Sequence, residues 1–122
     1  VGTVSGFSSV QEFASFVQNR LNADGLRLED AGRPVQRVAV GGGACGEYMK
    51  DALEKRCDTF VTADVKYNTF LDARALGLNL IDAGHFSTEN VVCRTLAQWL
   101  TRGFPDTEVL ISQTHKEVFS CI

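Results

Sequence analysis

The chain has 122 residues, of which 44% are hydrophobic and 22% charged, and its formal net charge is −3. This composition is typical of one globular domain and excludes a disordered chain or a collagen-like repeat. The acidic balance and the scattered Lys and Arg residues argue against a nucleic-acid surface and a polybasic membrane patch. No apolar run reaches the roughly 18 residues of a membrane span. We therefore expect a single cytoplasmic domain over 1–122 that binds neither nucleic acid nor membrane.

The hydrophobic pattern predicts strands that alternate with helices. Ser9 and Glu12 form a capping-box pattern at the start of the first helix, and Gly77 is a stop signal for the third. The predicted helices lie at 10–22, 45–56, 68–76 and from Ser87 or Thr88 to about Gly103. The predicted strands lie at 26–28, 35–40, 59–62, 78–81 and 108–111. This alternation favours a three-layer α/β fold, with a mainly parallel sheet flanked by helices.

The order of these elements also predicts how they pack. We expect the strands at 35–40, 59–62, 78–81 and 108–111 to be neighbours. The last helix carries Leu96, Trp99 and Leu100 at helical spacing, and we expect these side chains to pack it onto the sheet.

A glycine-rich loop joins the predicted strand at 35–40 to the next helix. Gly41, Gly43 and Gly46 occupy the three glycine positions of the G-x-G-x-x-G pattern, and Gly42 occupies its first variable position. Asp64 follows Gly46 at about the sequence distance expected for a ribose-binding acid. The loop is therefore a candidate for binding an anion or a nucleotide through backbone N–H groups. The alternative is a tight turn, in which glycine supplies a positive φ and close packing.

Two further segments carry groups suited to a polar site. Asp64, Lys66 and Tyr67 follow the strand at 59–62, where they either line a pocket or form a solvated loop. His85 follows the strand at 78–81, and Glu89 lies one helical turn later, a pair suited to Zn, Mn or Fe. The alternative for His85 is a hydrogen-bonded loop residue. Because parallel strands deliver their next residues to one edge, we expect His85 and Glu89 in one cleft near Asp64.

Three stretches, at 37–43, 58–67 and 77–89, resemble the Nif-three-like family, the dinuclear-metal-centre hexameric proteins often labelled GTP cyclohydrolase I type 2 homologues. The Gly-His-x-x-x-Glu element that ends at Glu89 is the most specific part of the resemblance. The resemblance implies a duplicated two-lobed fold, of which this chain corresponds to the C-terminal half. Ala63 and Asn68 depart from the family pattern, where many relatives have Gly and His.

The resemblance also implies a site. His85 and Glu89 match metal ligands, and Asp64, Lys66 and Tyr67 match a pocket-lining segment, while no residue is assigned a catalytic role. Each complete site would hold two divalent ions (Zn, Mn or Fe), with the other ligands supplied by the N-terminal half of the same protein. Because the chain opens at Val1 without an initiator Met, we expect a fragment that does not bind metal tightly alone. The family's assembly implies a homo-oligomer, a hexameric ring.

Three functions follow as hypotheses. The first is a metal-dependent hydrolase that acts on a nucleotide or phosphoester-type substrate. The second is a non-catalytic metal-binding or regulatory protein whose partner surface is its function. The third is nucleotide binding at 41–46 without metal.

Overall fold

The computed structural model describes residues 1–121, which form a five-stranded sheet flanked by helices. The strands are β1 (Gly2–Thr3), β2 (Arg27–Glu29), β3 (Arg37–Val40), β4 (Thr59–Thr62) and β5 (Asn79–Asp82). The helices are α1 (Val10–Leu21), α2 (Met49–Glu54), α3 (Tyr67–Leu76) and α4 (His85–Gly103), and a 3-10 turn at Gly46–Tyr48 precedes α2. Within residues 1–121, no helix is both long enough and apolar enough to cross a membrane.

The sheet has the order β1-β3-β4-β5-β2, and its three central strands are parallel. The short outer strands β1 and β2 pair antiparallel with β3 and β5. In the register of β4 with β5, Thr62 lies opposite Asp82, so these two strands end side by side. The residues that follow them therefore emerge at one edge of the sheet, which is where ligands bind in open α/β sheets.

Apolar side chains of the central strands alternate between the two faces of the sheet, as the pleat requires. One core cluster joins α1 to Val38, Val61 and Ile81. The other joins α2 and α3 to Phe60 and Leu80. Every residue of β4 and β5 is buried, as is typical of strands covered on both faces. The predicted three-layer α/β fold with a mainly parallel sheet is confirmed.

The helix boundaries show which local signals act. The Ser9 hydroxyl accepts the Glu12 N–H at 3.1 Å as predicted, but the Glu12 carboxylate reaches the N–H of Ser8 at 2.7 Å. Gly77 ends α3 in the left-handed conformation with φ 69°. Helix α4 begins before the predicted cap at Ser87, because the Ser87 and Thr88 hydroxyls donate back to carbonyls of the preceding turn.

Two predictions about the C-terminal part are wrong. Residues 108–111 form no strand, and the sheet position beside β5 is occupied by β2. Leu96, Trp99 and Leu100 do not pack onto the sheet, since they remain 43%, 62% and 47% exposed. The geometric reason is length: α4 spans roughly 28 Å at ~1.5 Å per residue, whereas a four-residue strand spans only ~13 Å. Ser87, in the first turn, is the buried residue of α4.

Candidate metal site

Asp64, His85 and Glu89 meet at the edge where β4 and β5 end. Nδ1 of His85 lies 2.6 Å from Oδ2 of Asp64, and Nε2 of the same ring lies 3.2 Å from Oε2 of Glu89. The imidazole therefore stands between the two carboxylates. All three side chains are about half exposed, so the group is open to solvent on one side. The prediction that His85 and Glu89 share a cleft near Asp64 agrees with this arrangement.

Each of the three residues is placed by a different local device. Asp64 has φ 51°, a left-handed conformation that Asp adopts more readily than most residues. His85 is the first residue of α4 and follows Gly84, whose φ is 82°. Glu89 lies one turn further along α4, and because residues four apart share a helix face, its carboxylate reaches the same ring.

The electrostatics of the site centre on the imidazole. The pKa of His85 is raised above its ordinary value, chiefly because its ring nitrogen hydrogen-bonds to the Asp64 carboxylate. The negative charge of Glu89 acts in the same direction, and partial desolvation opposes both. The environment thus favours positive charge at this position, which suits a bound cation as well as a proton.

The glycine loop forms the wall against which Glu89 rests. A Cβ atom on Gly43 would lie 2.5 Å from Oε1 of Glu89 and 3.3 Å from Nε2 of His85. Gly43 also has φ +71°. Its N–H donates to the Thr88 hydroxyl at 2.9 Å, and its carbonyl accepts the Ala63 N–H at 3.0 Å. Gly43 thus ties the loop to both α4 and the end of β4.

These contacts bear on the anion-binding interpretation of the loop. Gly41 donates its N–H to the Val61 carbonyl at 2.9 Å, and Cys45 donates its N–H to the Thr62 hydroxyl at 3.0 Å. With Gly43, three of the loop's N–H groups are therefore used inside the fold. Gly42 approaches the backbone of α4, and Gly46 opens the 3-10 turn. The observed role of the loop is close packing, and anion binding stays a prediction.

Lys66 and Tyr67 lie apart from this group. Tyr67 begins α3 with 78% of its surface exposed, and Lys66 precedes it as an exposed cap residue. In the part of the chain that the structure describes, neither forms a hydrogen bond or ion pair with Asp64, His85 or Glu89. Their pocket-lining role stays a prediction.

The donor set fits a partial metal site. Two ligands that lie ~2.0–2.1 Å from one tetrahedral ion are separated by roughly 3.3–3.4 Å, which is close to the 3.2 Å between Nε2 of His85 and Oε2 of Glu89. The carboxylate on the other ring nitrogen is the partner that metal-ligating histidines usually have. Over residues 1–121, no group of three or more His, Cys, Asp or Glu side chains is arranged to hold an ion. The described residues therefore offer two candidate ligands, with Asp64 behind one of them.

Sequence reasoning missed two residues that shape the site. Thr88 bridges the glycine loop and α4 through its hydroxyl. Asp82 is buried at the end of β5, and its carboxylate accepts backbone N–H groups from both segments of the site. A signal for Asp82 was present, because a charged residue at the end of a buried strand requires hydrogen-bond partners.

Comparison with known proteins identifies the family. The family model described as Duf34/NIF3 (NGG1p interacting factor 3) matches residues 1–118. The chain belongs to the Duf34/NIF3 family. The predicted resemblance is thereby confirmed.

Relatives within the Duf34/NIF3 family agree in sequence and in structure. A Bacillus subtilis (strain 168) protein named GTP cyclohydrolase 1 type 2 homolog is 34% identical over 125 residues, covering 98% of this chain and 33% of that protein. The crystal structure of the Staphylococcus aureus protein SA1388 matches with a TM-score of 0.85 at 30% identity, over 98% of this chain and 36% of that one. A Bacillus cereus protein related to NIF3 matches with a TM-score of 0.82 at 29% identity, over 99% and 35%. The chain thus spans about a third of the length of these relatives.

Proposed function

We propose that His85 and Glu89 bind a divalent metal ion and that the protein is a metal-dependent hydrolase of nucleotide or phosphoester-type substrates. The observation that carries this proposal is the spacing of Nε2 of His85 and Oε2 of Glu89, 3.2 Å apart on an open face. The distance suits two ligands of one ion, and the exposure leaves room for substrate.

Each residue of the site has a distinct task in this proposal. His85 presents Nε2, while Asp64 holds Nδ1 and thereby sets the ring orientation and the tautomer. Glu89 supplies the anionic oxygen, and Gly43 leaves space for that carboxylate. A divalent ion at such a site supplies a Lewis acid, which polarises a phosphoryl oxygen and eases proton loss from water.

Two ligands are fewer than the three protein ligands of a typical catalytic zinc site. We propose that the other ligands come from an N-terminal half of the same protein and that a complete site holds two ions, Zn, Mn or Fe. A homo-oligomeric ring in the cytoplasm completes the proposal. The coverage of about a third of each relative leaves room for such a half.

A second candidate is a non-catalytic metal-binding or regulatory protein. The observation that favours it is the apolar stripe of α4, where Val92, Leu96, Trp99 and Leu100 are 43–62% exposed. Exposed apolar patches on soluble proteins commonly mark contact surfaces. In this case metal would stabilise an assembly, without substrate turnover.

The metal site is tested by substituting its ligands. His85→Ala and Glu89→Gln should each weaken Mn²⁺ or Zn²⁺ binding in calorimetric titrations at least tenfold, with circular dichroism unchanged. His115→Ala and Glu108→Gln are matched controls, since both lie outside the site and should bind as the unmodified chain does. Equal affinity of all four variants would overturn the site assignment.

The two functions are separated by turnover. The chain is combined with the N-terminal region of a relative, loaded with Mn²⁺ or Zn²⁺ and assayed for hydrolysis of a panel of nucleotides and phosphoesters. Hydrolysis that is lost in Glu89→Gln supports the hydrolase. Stoichiometric metal without hydrolysis of any panel member supports the regulatory alternative.

A further inference from the structure

We infer that Asp82 is the positioning residue that holds Asp64 and His85 in place relative to each other, an inference that rests on the proposed metal function. Asp82 touches none of the atoms assigned to metal binding. It acts on the two backbone segments that carry the site, and it does so through one buried carboxylate. Glu89 takes no part in this action.

The first segment is held on both sides of one residue, Val65. Oδ2 of Asp82 accepts the N–H of Val65 at 2.9 Å. The guanidinium of Arg27 donates to the Val65 carbonyl at 2.9 Å, and it also pairs with Oδ2 of Asp82. Val65 directly follows Asp64, so these bonds fix the chain at the residue next to the Asp64 carboxylate.

These hydrogen bonds at Val65 explain how Asp64 keeps its left-handed backbone conformation. A left-handed φ of 51° is unfavourable for a residue with a Cβ and persists only when the surroundings enforce it. The bond from the Ala63 N–H to the Gly43 carbonyl restrains one side of Asp64, and the bond from Val65 to Asp82 restrains the other. Release of Val65 would let Asp64 relax and withdraw its carboxylate from Nδ1 of His85.

The second segment is held by the other oxygen of the same carboxylate. Oδ1 of Asp82 accepts the N–H of Gly84 at 3.1 Å. Gly84 precedes His85 and has φ 82°, so its orientation sets the direction in which α4 starts. One rigid group thus sets the positions of the carboxylate and of the imidazole that it orients.

Burial makes the carboxylate suitable for this task. Only 5% of Asp82 is exposed, whereas Asp64 and His85 are about half exposed and would move freely without support. Arg27 supplies the counter-charge from β2, directly opposite Asp82 in the sheet, and lies 5.4 Å from the centre of the Phe70 ring. A buried, paired and fully bonded carboxylate is a fixed point for backbone that must hold a strained turn.

Asp82→Asn tests the inference, because an amide has one acceptor oxygen in place of two. One of the two backbone N–H groups then faces an NH₂ donor, and its segment is released. We expect at least a tenfold loss of Mn²⁺ affinity, the size typical when the partner behind a ligating histidine is lost. ¹⁵N NMR of His85 above its pKa should also show the tautomer with the proton on Nδ1 less populated than in the unmodified chain.

Asp58→Asn is a matched control for loss of stability. Asp58 is likewise buried, and its carboxylate likewise accepts backbone N–H groups, those of Gln36 and Arg37. It precedes β4, whereas the site lies beyond the other end of that strand. We expect Asp58→Asn to lower the melting temperature while leaving the His85 tautomer and the Mn²⁺ affinity unchanged.

Arg27→Met keeps the test informative if Asp82→Asn does not fold. It removes the donor to Val65 and to Asp82 while retaining an apolar stem, and it should shift the His85 tautomer in the same direction. An unchanged tautomer in both Asp82→Asn and Arg27→Met, or an equal change in Asp58→Asn, would overturn the inference. If the unmodified chain combined with the N-terminal region of a relative takes up no Mn²⁺, yet Asp82→Asn shifts the tautomer, the positioning role stands and the metal function fails.

Discussion

Gly43→Ala should have two effects, backbone strain at residue 43 and displacement of the candidate ligand Glu89, which the control Gly77→Ala separates. Gly43 has φ +71°, and placing a Cβ in the left-handed region costs roughly 1–2 kcal/mol. In a chain of this size, that cost lowers the melting temperature by about 4–8 °C. This part of the effect concerns the backbone alone.

The second part comes from the new methyl group. It would lie 2.5 Å from Oε1 of Glu89, so the carboxylate must withdraw by roughly 0.8 Å to reach an ordinary carbon–oxygen contact of ~3.3 Å. Glu89 is more than half exposed and moves without a further loss of stability. Its withdrawal removes the 3.2 Å spacing to Nε2 of His85, and we expect Mn²⁺ affinity to fall about tenfold, equivalent to ~1.4 kcal/mol.

Gly77→Ala is the matched control. Gly77 has φ +69° at the end of α3, but a Cβ at this position would have no heavy atom within 4 Å apart from its chain neighbours. Thermal melts of both variants should therefore show similar destabilisation, while calorimetric titration with Mn²⁺ should show a loss only in Gly43→Ala. Full metal affinity in Gly43→Ala would refute the assignment of Gly43 as the wall behind Glu89.

Three other predictions rest on the described contacts. Because Asp64 raises the pKa of His85, the stabilisation from this pair is fully present below the ordinary histidine pKa of ~6.5 and is lost as pH rises through the raised value. The free energy of unfolding of the unmodified chain, measured with urea, should thus rise relative to that of Asp64→Asn between about pH 8.5 and about pH 6. A difference between the two chains that is constant with pH would contradict this. For the same reason, protons compete with metal for Nε2, so Mn²⁺ affinity should fall as pH drops through the raised pKa of His85. Trp99→Ala should cost less than about 1 kcal/mol because the indole is 62% exposed, whereas Leu80→Ala, with the side chain fully buried, should cost about 2–5 kcal/mol. Equal urea midpoints for these two variants would show that the described packing of α4 is wrong.

Much of the fold could be predicted because its signals are local. The cap at Ser9 and the stop at Gly77 act within one helical turn, and both are observed. The runs predicted at 59–62 and 78–81 correspond to the buried strands β4 and β5, because short runs of apolar and β-branched residues bounded by turns are typical of buried strands. The alternation of these elements then restricted the topology to a mainly parallel sheet.

The strand predicted at 108–111 and the apolar stripe around Trp99 show where local signals fail. A hydrophobic pattern indicates which face of an element can be buried, but it does not show whether the chain supplies a surface to cover it. The edge beside β5 was already occupied by β2, which pairs there through Arg27 and Asp82. The second half of α4 extends past the sheet, and its apolar residues stay exposed.

In the candidate site, too, some features follow from local sequence and others depend on the tertiary structure. The sequence by itself determined that His85 and Glu89 share a helix face, because residues four apart on a helix are neighbours whatever surrounds them. Only the tertiary structure decided that Asp64 hydrogen-bonds to the ring of His85, that Gly43 lies against Glu89, and that Asp82 holds both segments. These contacts join residues between 17 and 46 positions apart, except for the short bond from Asp82 to Gly84. Such contacts depend on the register of β4 with β5 and on the path of each loop, and neither is encoded within one turn of the chain.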